Sequence, residues 1–137
     1  MAPLRTILVV DDDELMRKTI SRILSHSGYQ PIEAHDGLQA YECVRRFRTS
    51  LQLVITDIRM PRMSGAELTQ RLRNEYPDVK ILCVSGYTDP LMVKGDYFLA
   101  KPFTVAALRA IVQEALGVPE SPDVPRKPRS SVCAGIK

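Results

Sequence analysis

Four apolar runs in this chain each lead into a residue that can do chemistry. Ile7-Leu8-Val9-Val10 runs into Asp11-Asp12-Asp13, Leu51 to Thr56 into Asp57, Lys80 to Val84 into Ser85, and Tyr97 to Ala100 into Lys101. A carboxylate can act as the nucleophile in phosphoryl transfer and become an acyl phosphate, provided that metal, lysine and hydroxyl donors meet the developing charge. Crowded carboxylates also repel one another, which raises some of their pKa values and destabilises the fold until a cation compensates. A hard divalent ion, Mg2+ or Mn2+, suits this need. Such an ion prefers oxygen ligands, takes one or two carboxylates from the protein, and keeps positions for water and a substrate phosphate.

This chemistry requires the four run ends to meet at one rim. The apolar runs have strand length and alternate with stretches of helical period, the pattern of parallel β/α units. The run from Ile7 to Val10 is apolar throughout, as a central strand buried on both faces must be. A helix follows with Met16, Ile20, Ile23 and Leu24 on one face, and Gly28 is placed to stop it. The strand around Gln30 to Ala34 contains Pro31, which lacks a ladder donor and belongs at a sheet edge. Asp36 can cap a second helix carrying Ala40, Val44 and Phe47 on one stripe. Ser64-Gly65-Ala66-Glu67 has the form of a capping box and opens a third helix, with Leu68, Leu72 and Tyr76 facing inward. Thr104 caps a last helix in which Val105, Leu108, Ile111, Val112, Ala115 and Leu116 recur at three- and four-residue steps, and Gly117 ends it.

Five strands and about five helices, with the proline-bearing strand at an edge, predict a flavodoxin-like, doubly wound α/β fold. Its five-stranded parallel sheet has the order 2-1-3-4-5. Ligands of such sheets bind beyond the carboxyl ends of the strands, at the switch point between the first and third. The acidic residues sit at those two ends.

Composition bounds the rest. The 137 residues are 45% hydrophobic with net charge +3, which fits one domain over residues 1–117. Residues 118–137 hold four prolines and four basic residues against two acidic ones, a composition that predicts a disordered Pro-rich basic tail. The body is left nearly neutral, which argues against a nucleic-acid surface, and no DNA-binding domain has room. Arg126, Lys127 and Arg129 in the tail are read as solvated charges. No apolar run approaches transmembrane length, and no signal-peptide h-region follows Met1. Cys43, Cys83 and Cys133 have no metal-ligand spacing, so a reduced cytoplasmic protein is expected. His26 and His35 are assigned to ordinary surface roles.

The stretches ILVVDDDE, LVITDIRMPRMSG, ILCVSGYTD and FLAKPF resemble the receiver domains of two-component response regulators, in register from Ile7 to about Leu116. Together they are highly specific, although any one alone is weak. The resemblance implies that Asp57 is the phosphoacceptor, loaded by a histidine kinase or phosphotransfer protein. It also implies that Asp12, Asp57 and the backbone carbonyl of Arg59 bind Mg2+, with Asp11 acting mainly through water. Lys101 then pairs with the acceptor or its phosphoryl group, Ser85 moves to hydrogen-bond the phosphoryl oxygen, and Phe98 takes the aromatic switch position. The Lys101-Pro102 bond is implied to be cis. A change of conformation then controls a downstream protein target, with at most slow self-dephosphorylation. The Ser85-Gly86-Tyr87 segment is similar to receivers attached to hybrid histidine kinases, which favours relay.

Two features depart from the family pattern. Lys101 lies only sixteen positions after Ser85, fewer than typical receivers use, so the fourth helix, between Asp89 and Gly95, should be shortened to little more than one turn. That predicts no dimer through the usual face formed by the fourth helix, fifth strand and last helix. Arg59 and Tyr87 are bulky and would flank an attacking water, which predicts slow loss of the phosphoryl group. Bland readings stand beside these: strand-end acids often only cap helices, as Asp13 is expected to do, and Lys101 alone would be a surface lysine. Two rivals are kept. One is a haloacid-dehalogenase-like phosphatase with Asp11 as nucleophile and Asp13 as acid, and the other is a receiver-like scaffold that recognises a partner without phosphorylation.

Overall fold

The computed structural model describes residues 5–58, 60, 63–86 and 96–117. Along the chain run β1 (Thr6–Val10), α1 (Glu14–His26), β2 (Gln30–Ala34), α2 (Gly37–Phe47), β3 (Leu51–Asp57), α3 (Gly65–Glu75), β4 (Lys80–Ser85), β5 (Tyr97–Ala100) and α4 (Val105–Leu116). The strands form one parallel sheet in the order β2-β1-β3-β4-β5. This is the expected flavodoxin-like order, with Pro31 on an edge strand. The short helix foreseen between residues 89 and 95, the tail and the side chains of Arg59 and Tyr87 lie outside the described residues.

The sheet separates two apolar layers because strand residues alternate between faces. Ile7, Val9, Leu53, Ile55, Leu82, Val84 and Tyr97 pack with Ile20 and Leu24 of α1 and Leu108, Ile111 and Val112 of α4. On the other face Leu8, Val10, Val54, Ile81 and Cys83 pack with Ala40 and Val44 of α2 and Leu68 and Leu72 of α3. β1 is buried at every position, as its unbroken apolar run requires.

The helices begin where the capping residues place them. Asp13, Asp36, Ser64 and Thr104 are the N-caps of α1 to α4, and their side chains accept from the amides of Leu15, Gln39, Glu67 and Ala107. Each supplies an acceptor for an amide that the helix itself leaves orphaned. Gly28, at φ 91°, turns the chain after α1, a conformation that glycine adopts without steric cost.

At the opposite end of the sheet, α4 is held by cations from two strand starts. Arg5 Nη1 donates to the carbonyls of Leu116 and Gly117 at 2.5 and 2.9 Å, and Lys80 Nζ donates to that of Ala115 at 2.7 Å. The last turn of α4 contains no basic residue. The positive charge that favours a helix C-terminus therefore comes from elsewhere in the fold.

Two expected core positions differ. Phe47 is 36% and Val105 46% exposed, because each lies in the terminal turn of its helix, where the apolar stripe leaves the sheet. Tyr76, the C-cap of α3, is partly buried and packs against the layer of Leu68 and Leu72, as expected. Its ring lies 6.4 Å from that of Tyr41 and 5.7 Å from the Arg48 guanidinium.

Candidate functional site

Parallel pairing brings the four strand ends together. β1 and β3 are neighbours with Val10 opposite Thr56, β3 and β4 pair Asp57 with Val84, and β4 and β5 pair Ser85 with Ala100. Asp11, Asp57, Ser85 and Lys101 thus follow one another along a single rim. The amide of Lys101 donates to the Ser85 carbonyl at 2.9 Å, which extends the β4–β5 ladder by one bond and ties the two residues together. The Lys101-Pro102 bond is cis, as the resemblance implied.

Asp11, Asp12 and Asp57 each offer a carboxylate oxygen within 4.8 Å of the other two. Opposed oxygens around Mg2+ stand about 4.2 Å apart, twice a bond length of roughly 2.1 Å. Oxygens that lie this close together can share one such ion. Three carboxylates, hard donors all, fit such a cation.

The three acids are held differently. Asp11 is buried, at 2% exposure, and its polar atoms are engaged on every side. Its amide donates to the Ala34 carbonyl at 3.2 Å. One carboxylate oxygen accepts the Asp13 amide at 2.9 Å, and the other faces Lys101 Nζ at 3.4 Å. Asp12 is exposed and Asp57 half-buried.

Lys101 Nζ lies 3.4 Å from both Asp11 Oδ2 and Asp57 Oδ2, a cation shared between two acids that would otherwise repel. Burial pushes the Asp11 carboxyl above its ordinary range and the Asp57 charge adds to this, while the Asp13 amide and Lys101 oppose it. For Lys101, burial acts to lower the pKa, but the charges of Asp11 and Asp57 outweigh it and hold the ammonium above its ordinary value. The arrangement keeps Lys101 charged and beside the Asp57 carboxylate.

Ser85 is buried at the end of β4. Phe98, partly buried on the Cys83 side of the sheet, packs against the layer formed with α2 and α3. Arg59, expected to lend its carbonyl to the cation, lies outside the described residues. Asp13 caps α1 and is exposed. That is the bland role foreseen for it. Cys43 and Cys83 are thiols, and burial raises the Cys43 pKa, so the thiol is a poor nucleophile.

Comparison with known proteins agrees with this geometry. The family model for the Response regulator receiver domain matches residues 7–113. The chain is 33% identical over 117 residues to "Sensor kinase CckA" of Brucella abortus, covering 81% of this chain and 12% of that protein. With "Response regulator MprA" of Mycobacterium ulcerans it shares 36% over 116 residues, covering 80% of this chain and 49% of that one. The chain therefore spans half or less of the length of these relatives. Among solved structures, the chemotaxis response regulator CheY4 of Vibrio cholerae superposes with a TM-score of 0.76 at 28% identity, covering 82% of this chain and 99% of that one. With its parallel sheet, its aspartate cluster at the β1 and β3 ends and a match over nearly the whole described fold, the chain belongs to the response regulator receiver domain family.

Proposed function

We propose that Asp57 is the phosphoacceptor of a two-component phosphorelay, loaded by a histidine kinase or phosphotransfer protein. The observation that carries this reading is the placement of Lys101 Nζ at 3.4 Å from both Asp11 and Asp57 within the carboxylate cluster. A carboxylate oxygen of Asp57 attacks the phosphorus of a phosphohistidine. A P–O bond forms, the P–N bond breaks, and the imidazole departs with a proton from solvent. Mg2+, held by Asp12 and Asp57 with the Arg59 carbonyl and a water on Asp11, would neutralise the oxygens of the transferring group. Lys101 supplies a fixed positive charge beside the acceptor, so little reorganisation is needed as charge develops. The Ser85 hydroxyl then turns to the phosphoryl oxygen and the Phe98 ring follows into the space behind it, altering the surface that a downstream protein reads.

This is a signalling domain and not a turnover enzyme. Among the described residues no helix is long and apolar enough to cross a membrane. A cytoplasmic site of action is proposed on the three cysteines, which show no disulfide pattern, and on the kinase partner. Likeness to "Sensor kinase CckA" supports a relay partner over direct control of genes.

The test is the intact mass of the protein after incubation with acetyl phosphate and Mg2+. One phosphoryl group is expected on the wild type, and none on Asp57→Asn or in EDTA. Absence of the adduct from the wild type would remove phosphorylation from the account and leave a scaffold that recognises its partner through shape alone.

A further inference from the structure

Arg17, on the second turn of α1, is 13% exposed in its side chain and makes two contacts that join three elements. Its Nε donates to Glu33 Oε1 on β2 at 2.9 Å, and its Nη1 donates to the backbone carbonyl of Asp11 at 2.9 Å. β1 has ended at Val10, and the last β2 partner available to Asp11 is the Ala34 carbonyl, which takes the Asp11 amide. The guanidinium acts as the donor that a continuing strand would have provided. Glu33, opposite Val9 in the β1–β2 register, fixes the other arm of the fork.

The carbonyl of Asp11 and the amide of Asp12 belong to one planar peptide unit. Holding that oxygen sets the direction in which the chain continues into Asp12, the exposed member of the carboxylate cluster. The Asp13 amide on Asp11 Oδ1 closes a turn around Asp12, Lys101 faces the other carboxylate oxygen, and Arg17 adds a side-chain bond to the carbonyl within that turn. We propose that Arg17, braced by Glu33, is a positioning residue for the divalent-cation site, acting through the Asp11 carbonyl to orient Asp12. The inference rests on the receiver reading of that site.

The sign of the effect separates this role from a simple charge effect. A guanidinium near a cation site repels the cation, so removing its charge alone would tighten metal binding, whereas losing the peptide anchor loosens it. Partners of this kind typically change metal affinity about 10- to 100-fold.

The experiment is direct Mn2+ titration, followed by the electron paramagnetic resonance signal of the free ion. It compares the wild type with Arg17→Met, Arg17→Lys and Lys18→Met, with the melting temperature of each taken in EDTA. Lys18 also approaches Glu33, at 3.4 Å, and serves as the control for a charge on that carboxylate. Arg17→Met and Arg17→Lys are expected to bind Mn2+ about tenfold more weakly, because a single ammonium cannot span Glu33 and the Asp11 carbonyl as the fork does. Lys18→Met should bind at least as tightly as the wild type. Should Arg17→Met fail to fold, Arg17→Lys decides alone, since it keeps the charge and the helix propensity. Unchanged or tighter binding in the folded Arg17 variants, or equal weakening in Lys18→Met, would overturn the inference while leaving the receiver reading intact. A wild type that takes up no Mn2+ would overturn both.

Discussion

At the scale of single residues, the site is organised around Asp11, the buried acid, while Asp57, the proposed phosphoacceptor, is more accessible. Burial makes Asp11 a poor partner for direct exchange with solvent and a good rigid post on which Lys101 and the Asp13 amide are set. Glu33, further out, has a measurable signature. Burial acts to raise its pKa, but hydrogen bonds from Arg17 and Lys18 outweigh this and hold the carboxyl below its ordinary 4.5. A group whose pKa is depressed by folding contributes stability that is complete above its unfolded value and is lost as pH falls through the folded one. Wild-type stability should therefore fall more steeply below pH 4.5 than that of Glu33→Gln, and urea unfolding at several acidic pH values reads the difference. Matching slopes would mean that the Arg17–Glu33 pair adds nothing to folding. The chemistry-bearing residues were legible in the sequence because each directly follows a strand-length apolar run. Arg17 was not, since a helical arginine reads as solvent-facing, and its partners are a backbone oxygen six positions back and a side chain sixteen ahead.

At the scale of elements, the start of α3 lies hard against the end of β3. A Cβ on Gly65 would lie 1.9 Å from the Asp57 carbonyl oxygen and 2.7 Å from Ile58 Cα, and one on Gly37 would lie 2.2 Å from the Met63 carbonyl. The Gly65 amide also donates to the Ile58 carbonyl at 2.8 Å, so α3 begins against the very backbone that presents Asp57. Gly65→Ala should destabilise the fold by about 2 kcal/mol, within the usual cost of overpacking a close contact. Because the displaced backbone carries Asp57, the same variant should label more slowly with acetyl phosphate even where it is fully folded. Wild-type stability and labelling together would show that the junction yields without cost. The capping box at Ser64 announced a helix start. The need for glycine one position later was hidden, because it arises from a contact with β3 and not from local conformation.

At the scale of the whole molecule, strand order followed from Pro31 and from the alternation of short apolar runs with helical ones. The limits of each core stripe did not, because periodicity cannot say where a helix overhangs its sheet, as at Phe47 and Val105. The cations that close the end of α4 were equally invisible: Arg5 and Lys80 stand at the starts of strands far away in sequence. Replacing either with Met should cost about 1 kcal/mol of stability, read by chemical denaturation, with acetyl phosphate labelling at the wild-type rate. A loss of labelling in a folded variant would reveal coupling across the length of the sheet. The clasp also determines how the molecule can be handled. It holds Gly117 at the starts of the strands, about 17 Å of strand away from the acidic rim. A receiver tethered to a bead or sensor chip through the chain beyond Gly117 would turn that rim toward the solution, open to an incoming phosphodonor, whereas coupling through Lys18 on α1 would fasten the molecule beside its own pocket.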